Sequence, residues 1–179
     1  PAATDGTTRL WFAPVAGQSG TANITVTVRN AGPDGSFGTS DDLTTTQSFS
    51  IVVNGRPTLG AIANRTPIHT SAGIQTVNLT GISAGTSESQ ILRVTATSDN
   101  TALIPNPTVV YTSPNSTGSL TYTPVAGQSG TAHITVTVSD PGPDGVLNTA
   151  DDLSVTKSFT VTVTNNVTLD PITPSTITV

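Results

Sequence analysis

Polar and apolar residues alternate with a period of two along much of this chain. In residues 132–138 the side chains of Ile134, Val136 and Val138 would face one side, while the His and Thr residues between them face the other. The same alternation occurs earlier in the chain, at Ile24, Val26 and Val28. No segment has a helical period of useful length, so the pattern predicts β-strands throughout.

Pro and Gly residues separate these alternating segments and mark the turns between strands. Seven strands are predicted from residue 58 onward, near residues 58–63, 75–80, 91–98, 108–112, 118–124, 131–139 and 153–164. Strands of this number and length favour two sheets packed face to face. The predicted fold class is therefore an all-β, immunoglobulin-like sandwich.

One stretch of sequence is present twice, 110 residues apart. PVAGQSGTANITVTV begins at Pro14, and PVAGQSGTAHITVTV begins at Pro124. An ungapped alignment of residues 10–57 with residues 120–167 gives 27 identities in 48 positions. Convergence of strand composition does not produce such identity, so the unit is duplicated. A period of this length matches whole β-sandwich domains in series.

The duplication predicts three parts. Residues 1–57 are the C-terminal half of a preceding repeat, and residues 58–167 are one complete repeat. Thr168 and Leu169 match Thr58 and Leu59, so residues 168–179 are predicted to be the first strand of a following repeat.

Two segments of the complete repeat carry a family resemblance. ISAGTSESQILRVTATSDNTALIPNP and TPVAGQSGTAHITVTVSDPGPDGVLNTADDLSVTKSFTVTV resemble the immunoglobulin-like, cadherin-like repeats that occur in tandem in very large bacterial surface and secreted proteins. The resemblance covers practically the whole chain. It implies a β-sandwich, an extracellular or cell-surface location, and a scaffold, adhesion or matrix role in which calcium is common.

Composition excludes several functional classes. The chain has no Cys and no Met, which excludes disulfides, thiolate metal sites and cysteine nucleophiles. Six basic residues are scattered through a chain of net charge −5, so nucleic acid is not an expected partner. No apolar run approaches about 18 residues, so membrane insertion is not expected.

Acidic residues are concentrated in two short loops. Seven of the eleven carboxylates are found there: Asp34, Asp41, Asp42, Asp140, Asp144, Asp151 and Asp152. Aligned with the twelve-residue calcium loop, the later segment supplies positions 1, 5, 7, 9 and 12 from Asp140, Asp144, the Val146 carbonyl, Asn148 and Asp151, with Asp152 adjacent. Repulsion among these carboxylates favours a bound cation, and Ca²⁺ is the predicted cofactor.

The match to a calcium loop is incomplete. Gly142 stands at position 3, and position 12 is Asp rather than Glu. The earlier copy offers Asn30, Asp34, Ser36, Asp41 and Asp42 at the corresponding positions. An ordinary polar turn is the alternative, because Asp-Gly favours turns for local reasons.

Glu88 is the only glutamate of the chain. In an immunoglobulin-like topology, the loops at residues 81–90 and 140–152 lie at the same end as the domain's N-terminus. Glu88 is therefore a candidate ligand for the same calcium ion, and a solvent-facing loop residue is the alternative.

Catalysis is not expected from this inventory. The chain has two histidines, one lysine and one glutamate, and no Ser, His and Asp arrangement recurs in both copies. We expect a structural or adhesive module whose partners are neighbouring repeats of the same protein, and head-to-tail self-assembly is a further candidate interaction. The alternative is an extracellular carbohydrate-binding module that uses exposed aromatics such as Trp11, Tyr111 or Tyr122.

Overall fold

The computed structural model describes residues 9–85 and 88–165. All regular secondary structure in these residues consists of β-strands, which confirms the predicted fold class. The strands are β1 (Gly20–Arg29), β2 (Thr44–Val53), β3 (Ile68–His69), β4 (Gln75–Leu79), β5 (Arg93–Ser98), β6 (Thr108–Val110), β7 (Gly118–Tyr122), β8 (Gly130–Ser139) and β9 (Ser154–Thr164). The proposed opening strand at residues 168–179 lies outside the described residues.

Strands β3 to β9 form an immunoglobulin-like sandwich of two sheets. One sheet has four strands in the order β3-β9-β8-β5, and the other has three in the order β4-β7-β6. All pairs are antiparallel except β3 with β9, which is parallel. This arrangement of seven strands in two sheets is the one expected for an immunoglobulin-like domain.

The core lies between these two sheets and is mainly aliphatic. Strand β8 buries every second side chain, as its alternation predicted, and β9 buries Phe159, Val161 and Val163 opposite the other sheet. The rings of Tyr122 and Phe159 lie 6.4 Å apart between centroids and are tilted by 40°. Each fully buried large apolar side chain contributes about 1.5–3 kcal/mol to folding.

The strand predicted near residues 58–63 is absent. Thr58 forms a single isolated bridge with Ser83, and the Gly60 amide donates to the Thr80 carbonyl at 2.8 Å. Gly81 in the opposing segment has a φ of 65°, so that segment leaves the extended conformation and a regular ladder does not continue. The edge strand is instead β3, which pairs with the end of β9.

Strands β1 and β2 form a separate two-stranded sheet from the earlier copy. Their register, from Gly20 opposite Val53 to Arg29 opposite Thr44, is the register of β8 and β9 shifted by 110 residues. The shared sequence therefore folds into the same hairpin in both copies. Within the described residues, no helix is long and apolar enough to cross a membrane.

Strand register brings two loops to one end of the sandwich. Arg93 at the start of β5 pairs with Ser139 at the end of β8, and Ser139 pairs with Ser154 at the start of β9. The loop before β5 and the loop of residues 140–153, here called the acidic loop, therefore lie side by side. Residues 54–57, here called the linker, connect β2 to the sandwich at this end.

Candidate metal centre

The acidic loop is closed at its base by main-chain and side-chain bonds. The Asp140 amide donates to the Leu153 carbonyl at 3.0 Å. Oδ1 of Asp140 accepts hydrogen bonds from the Gly142 amide at 2.9 Å and the Leu153 amide at 3.4 Å. Gly142, Gly145 and Asn148 all have positive φ, which lets the loop turn twice within a few residues.

The exposed carboxylates of this loop bond to its own backbone. Asp144 accepts from the Val146 amide at 2.7 Å, Asp151 from the Asp144 amide at 3.2 Å, and Asp152 from the Asn148 amide at 2.6 Å. Hydrogen bonds from the Thr149 hydroxyl and the Asp144 amide lower the pKa of Asp151 despite some desolvation. These backbone amides offset the repulsion between the carboxylates. The sequence had suggested that a bound cation does so.

The earlier copy repeats this bonding. Asp34 accepts from the Ser36 amide, Asp41 from the Asp34 amide, and Asp42 from the Gly38 amide, at 2.7, 3.1 and 2.7 Å. The Thr39 hydroxyl and the Asp34 amide lower the pKa of Asp41. Among the described residues of both loops and the rest of the fold, no group of three or more His, Asp or Glu side chains is placed to hold a metal ion.

Asp140 stands apart from the other acidic residues because it is wholly buried. It is 0% exposed, and it is the single buried polar or charged residue among those described. Its Oδ2 atom has no hydrogen-bond partner. A buried carboxylate oxygen without a donor or a cation is strongly unfavourable, so this atom needs an explanation.

The earlier copy shows that the loop itself does not require a carboxylate at this position. Asn30 aligns with Asp140, and its Oδ1 atom accepts from the Gly32 amide at 3.2 Å and the Leu43 amide at 3.0 Å. An amide oxygen thus makes the same two backbone bonds that Oδ1 of Asp140 makes. The second oxygen of Asp140 is therefore surplus to the loop's own structure.

The linker and the loop before β5 supply the groups nearest to Asp140 in the bonding network. Nδ2 of the Asn54 side chain donates to Oδ1 of Asp140 at 3.0 Å, and Nε2 of Gln90 donates to Oδ1 of Asn54 at 2.6 Å. The same Gln90 nitrogen lies 3.5 Å from the Gly142 carbonyl oxygen. One chain of hydrogen bonds therefore joins the acidic loop, the linker and the loop before β5.

Glu88 is bonded to the linker next to this chain. Its Oε1 atom accepts from the Gly55 amide at 2.5 Å, while Oε2 is buried without a partner. Oε1 of Gln90 is also buried without a partner. In the described residues the one ion pair is His133 with Asp99, so neither Glu88 nor Asp140 is neutralised by a basic side chain.

Three oxygen atoms without donors, Oδ2 of Asp140, Oε2 of Glu88 and Oε1 of Gln90, belong to this network. Two carboxylates with amide and backbone oxygens nearby are the donor set that Ca²⁺ prefers. The residues present therefore fit a calcium ion. Sequence reasoning selected Asp140 and Glu88 but missed Asn54 and Gln90, because isolated amide residues give no spacing signal.

The backbone of the linker is tightly enclosed. A Cβ on Gly55 would lie 2.7 Å from Oε1 of Glu88 and 2.7 Å from Oγ of Ser19. Arg56 extends in another direction, and its guanidinium donates to the Ser154 carbonyl at 2.7 Å. The linker thus contacts the earlier copy, the loop before β5 and the start of β9.

The aromatic residues named for carbohydrate binding do not form one surface. Tyr122 is buried in the core, Tyr111 packs partly against it, and Trp11 is exposed. The two histidines are also in different places: His133 lies 2.8 Å from Asp99, while His69 lies 3.4 Å from the Thr164 hydroxyl.

No protein-family model and no curated protein matches the chain. Among solved structures, it is similar to domains 4 and 5 of the S-layer protein SbsC, with 18% identity, a TM-score of 0.36, and coverage of 68% of this chain and 63% of that one. Domains 1–6 of the same surface layer protein match with 17% identity, a TM-score of 0.39, and coverage of 85% and 17%.

A third similar structure is a nucleoside hydrolase-related hypothetical protein from Saccharophagus degradans that is associated with carbohydrate metabolism. It has 13% identity, a TM-score of 0.37, and coverage of 63% of this chain and 26% of that one. The chain spans less than two thirds of the length of each of these three structures. The similarity is too low to carry a functional argument, which must come from the chain's own residues.

Proposed function

We propose that this chain is part of a tandem-repeat structural protein of the bacterial cell surface or extracellular space, in which calcium holds one repeat against the next. The observation that carries the proposal is the set of buried, unpartnered oxygens of Asp140, Glu88 and Gln90 around the linker. The role proposed is mechanical or adhesive, without catalysis, and the primary partners are neighbouring repeats.

Asp140 and Glu88 would supply the negative charge for the ion, and the unpartnered amide oxygen of Gln90 would be a further ligand. Calcium would supply the positive charge that these two carboxylates lack. Leaving one partner of a buried ion pair unmatched costs about 3–5 kcal/mol, so the ion-free arrangement is destabilised in proportion. Binding of calcium therefore stabilises the junction between the repeats in addition to the repeats themselves.

The origin of these groups explains the consequence for shape. Asn54 belongs to the linker, Glu88 and Gln90 to the loop before β5, and Asp140 to the acidic loop. An ion shared by Asp140, Glu88 and Gln90 would restrain the linker relative to the sandwich, because Asn54 is bonded to Asp140 and Gly55 to Glu88. A row of such junctions would be stiff when calcium is abundant, which suits a filament, surface layer or adhesin stalk.

The test compares calcium binding by the 179-residue chain and by two variants of equal charge. Asp140→Asn with Glu88→Gln removes the two carboxylates with an unpartnered oxygen at the junction, and Asp144→Asn with Asp152→Asn removes two that bond to the acidic loop's own amides. For a dissociation constant of about 10⁻⁴–10⁻³ M, 10 mM calcium should stabilise the wild type by about 1.4–2.7 kcal/mol. Titration calorimetry and melting curves with calcium or chelator measure this.

We expect the response to calcium to vanish in the first variant and persist in the second. The reverse result would place the ion among the other carboxylates of the acidic loop, away from Asp140 and Glu88. Absence of any calcium effect on the wild type, with binding undetectable by calorimetry, would contradict the proposal.

A further inference from the structure

The β1–β2 hairpin presents an apolar face that its counterpart in the complete repeat buries. Val28 is 61% exposed, whereas the aligned Val138 is 0% exposed. Phe49 is 45% exposed, whereas the aligned Phe159 is 1% exposed. Sequence, hairpin and register are shared between the copies, so the difference arises from what covers each hairpin.

Residues before β1 show the same contrast. Leu10 aligns with Leu120 and Phe12 aligns with Tyr122, both of which belong to β7 and are buried in the core. Leu10 is 55% exposed and Phe12 is 60% exposed. Phe12 also lines a cleft of about 330 Å³ with apolar residues of the hairpin that include Ile24 and Ile51.

The complete repeat shows what fits against such a face. Its β8–β9 hairpin is covered by the sheet β4-β7-β6, from which Val77, Leu79 and Leu120 enter the common core. Strands β4 and β6 belong to residues 58–119, the segment that comes immediately before the Leu120 end of β7 and the β8–β9 hairpin in the chain. A second copy of the sandwich cannot supply this sheet, because its own β8 and β9 already occupy the sheet's apolar face.

We infer that the β1–β2 hairpin is the second half of a sandwich whose first half is an immunoglobulin-like segment immediately N-terminal in the same polypeptide. That segment would have the apolar alternation of residues 58–119 and would bury Phe12 against Phe49 as Tyr122 is packed against Phe159. The inference rests on the exposed face and the duplication, and it is independent of calcium.

The experiment extends the chain by placing a copy of residues 58–119 directly before Leu10, which reproduces the junction between Ser119 and Leu120. Hydrogen exchange is followed in β1 and β2, with β8 and β9 as internal references. In the 179-residue chain at low concentration, amides of β1 and β2 should exchange faster than those of β8 and β9. The extension should raise their protection at least about tenfold.

Two variants of the added segment provide a matched control. Val77→Asp with Leu79→Asp in the added copy places charges on its inward face and should abolish the gain in protection. Thr76→Asp with Asn78→Asp places the same charges on the outward face of the same strand and should preserve the gain. Equal behaviour of the two variants would overturn the inference.

Results from the unextended chain can also overturn it. Protection of β1 and β2 equal to that of β8 and β9 at every concentration would show that the hairpin needs no cover. Protection that rises with chain concentration would show that a second copy covers it. If the extended chain is insoluble, residues 58–119 supplied as a separate peptide must protect the hairpin at up to about 1 mM, and failure to do so also overturns the inference.

Discussion

The side-chain amide of Asn54 donates a hydrogen bond of 3.0 Å to Oδ1 of Asp140, and thereby joins the linker to the acidic loop. The two residues are 86 positions apart in the chain. Asn54 gives the buried carboxylate one neutral donor, but no basic side chain faces it in the described network. The junction is therefore sensitive to any change in the donors, the space or the charge around Asp140.

Replacing Asn54 by Ala should destabilise the junction. The substitution removes a donor to a buried carboxylate, which costs about 1–3 kcal/mol, and it also leaves Nε2 of Gln90 without its 2.6 Å acceptor. Urea unfolding followed by circular dichroism measures the change. Asn78→Ala, on the exposed face of β4, serves as the control, and its stability should stay within about 0.5 kcal/mol of the wild type.

Gly55→Ala should destabilise the chain, because the added Cβ would displace Glu88 and break its bond from the Gly55 amide. Loss of a hydrogen bond to a charged group costs about 1.5–3 kcal/mol. Gly73→Ala is the matched control, since a Cβ there meets nothing within 4 Å. It should be neutral or stabilising by about 0.4–1 kcal/mol in thermal melts, and equal losses in both variants would argue against the tight linker.

Phe159→Ala and Phe49→Ala should have very different effects in the 179-residue chain. Phe159 is fully buried against Tyr122, so its truncation should cost about 3–5 kcal/mol. Phe49 lies on the uncovered face and should cost much less. Chemical denaturation of both variants checks this contrast, and similar losses would mean that the face of β1 and β2 is covered in solution.

Acid should destabilise the fold through three carboxyls whose pKa values lie below the ordinary 3.8: Asp41, Asp99 and Asp151. Hydrogen bonds from the His133 amide and then its imidazole lower the pKa of Asp99. In the unfolded chain these groups bind protons more readily, so their contribution is complete above pH about 3.8 and is lost as pH falls through the lower folded values.

Melting temperature should therefore change little from pH 7 to about 5 and decline below about 4. Asp99→Asn should make the acid slope shallower because one of the three groups no longer titrates. Thr149→Val should do the same by removing the hydroxyl that holds the Asp151 carboxylate in its charged form. Unchanged slopes in both variants would show that these hydrogen bonds do not govern acid stability.

Several elements followed directly from the sequence, and others did not. The alternation in residues 132–138 predicted β8 and its inward face correctly. The predicted strand near residues 58–63 was wrong, since the positive φ of Gly81 turns the opposing segment out of the extended conformation there. Periodicity reports which side chains face inward but not whether the partner segment stays extended.

The acidic loops illustrate a second limit. Their Asp spacing suggested a calcium loop, and the structure shows Asp144, Asp151 and Asp152 bonded to the loop's own amides. Asp-rich spacing is compatible with both arrangements, because a carboxylate can accept hydrogen bonds from nearby backbone amides or ligate a cation. Calcium binding remains a prediction for the junction, where Asp140, Glu88 and Gln90 each have an unpartnered oxygen.

The sequence by itself determined the duplication, most of the strands and which side chains share one face of a strand, because side-chain direction in a strand alternates with each residue and needs no distant contact. Only the tertiary structure decided that Asn54, Glu88, Gln90 and Asp140 meet. These residues come from three separate segments, and strand register places those segments at one end of the sandwich. Tertiary packing also decided exposure: hairpins of similar sequence and the same register are buried in one copy and uncovered in the other, since burial depends on the sheet that lies opposite.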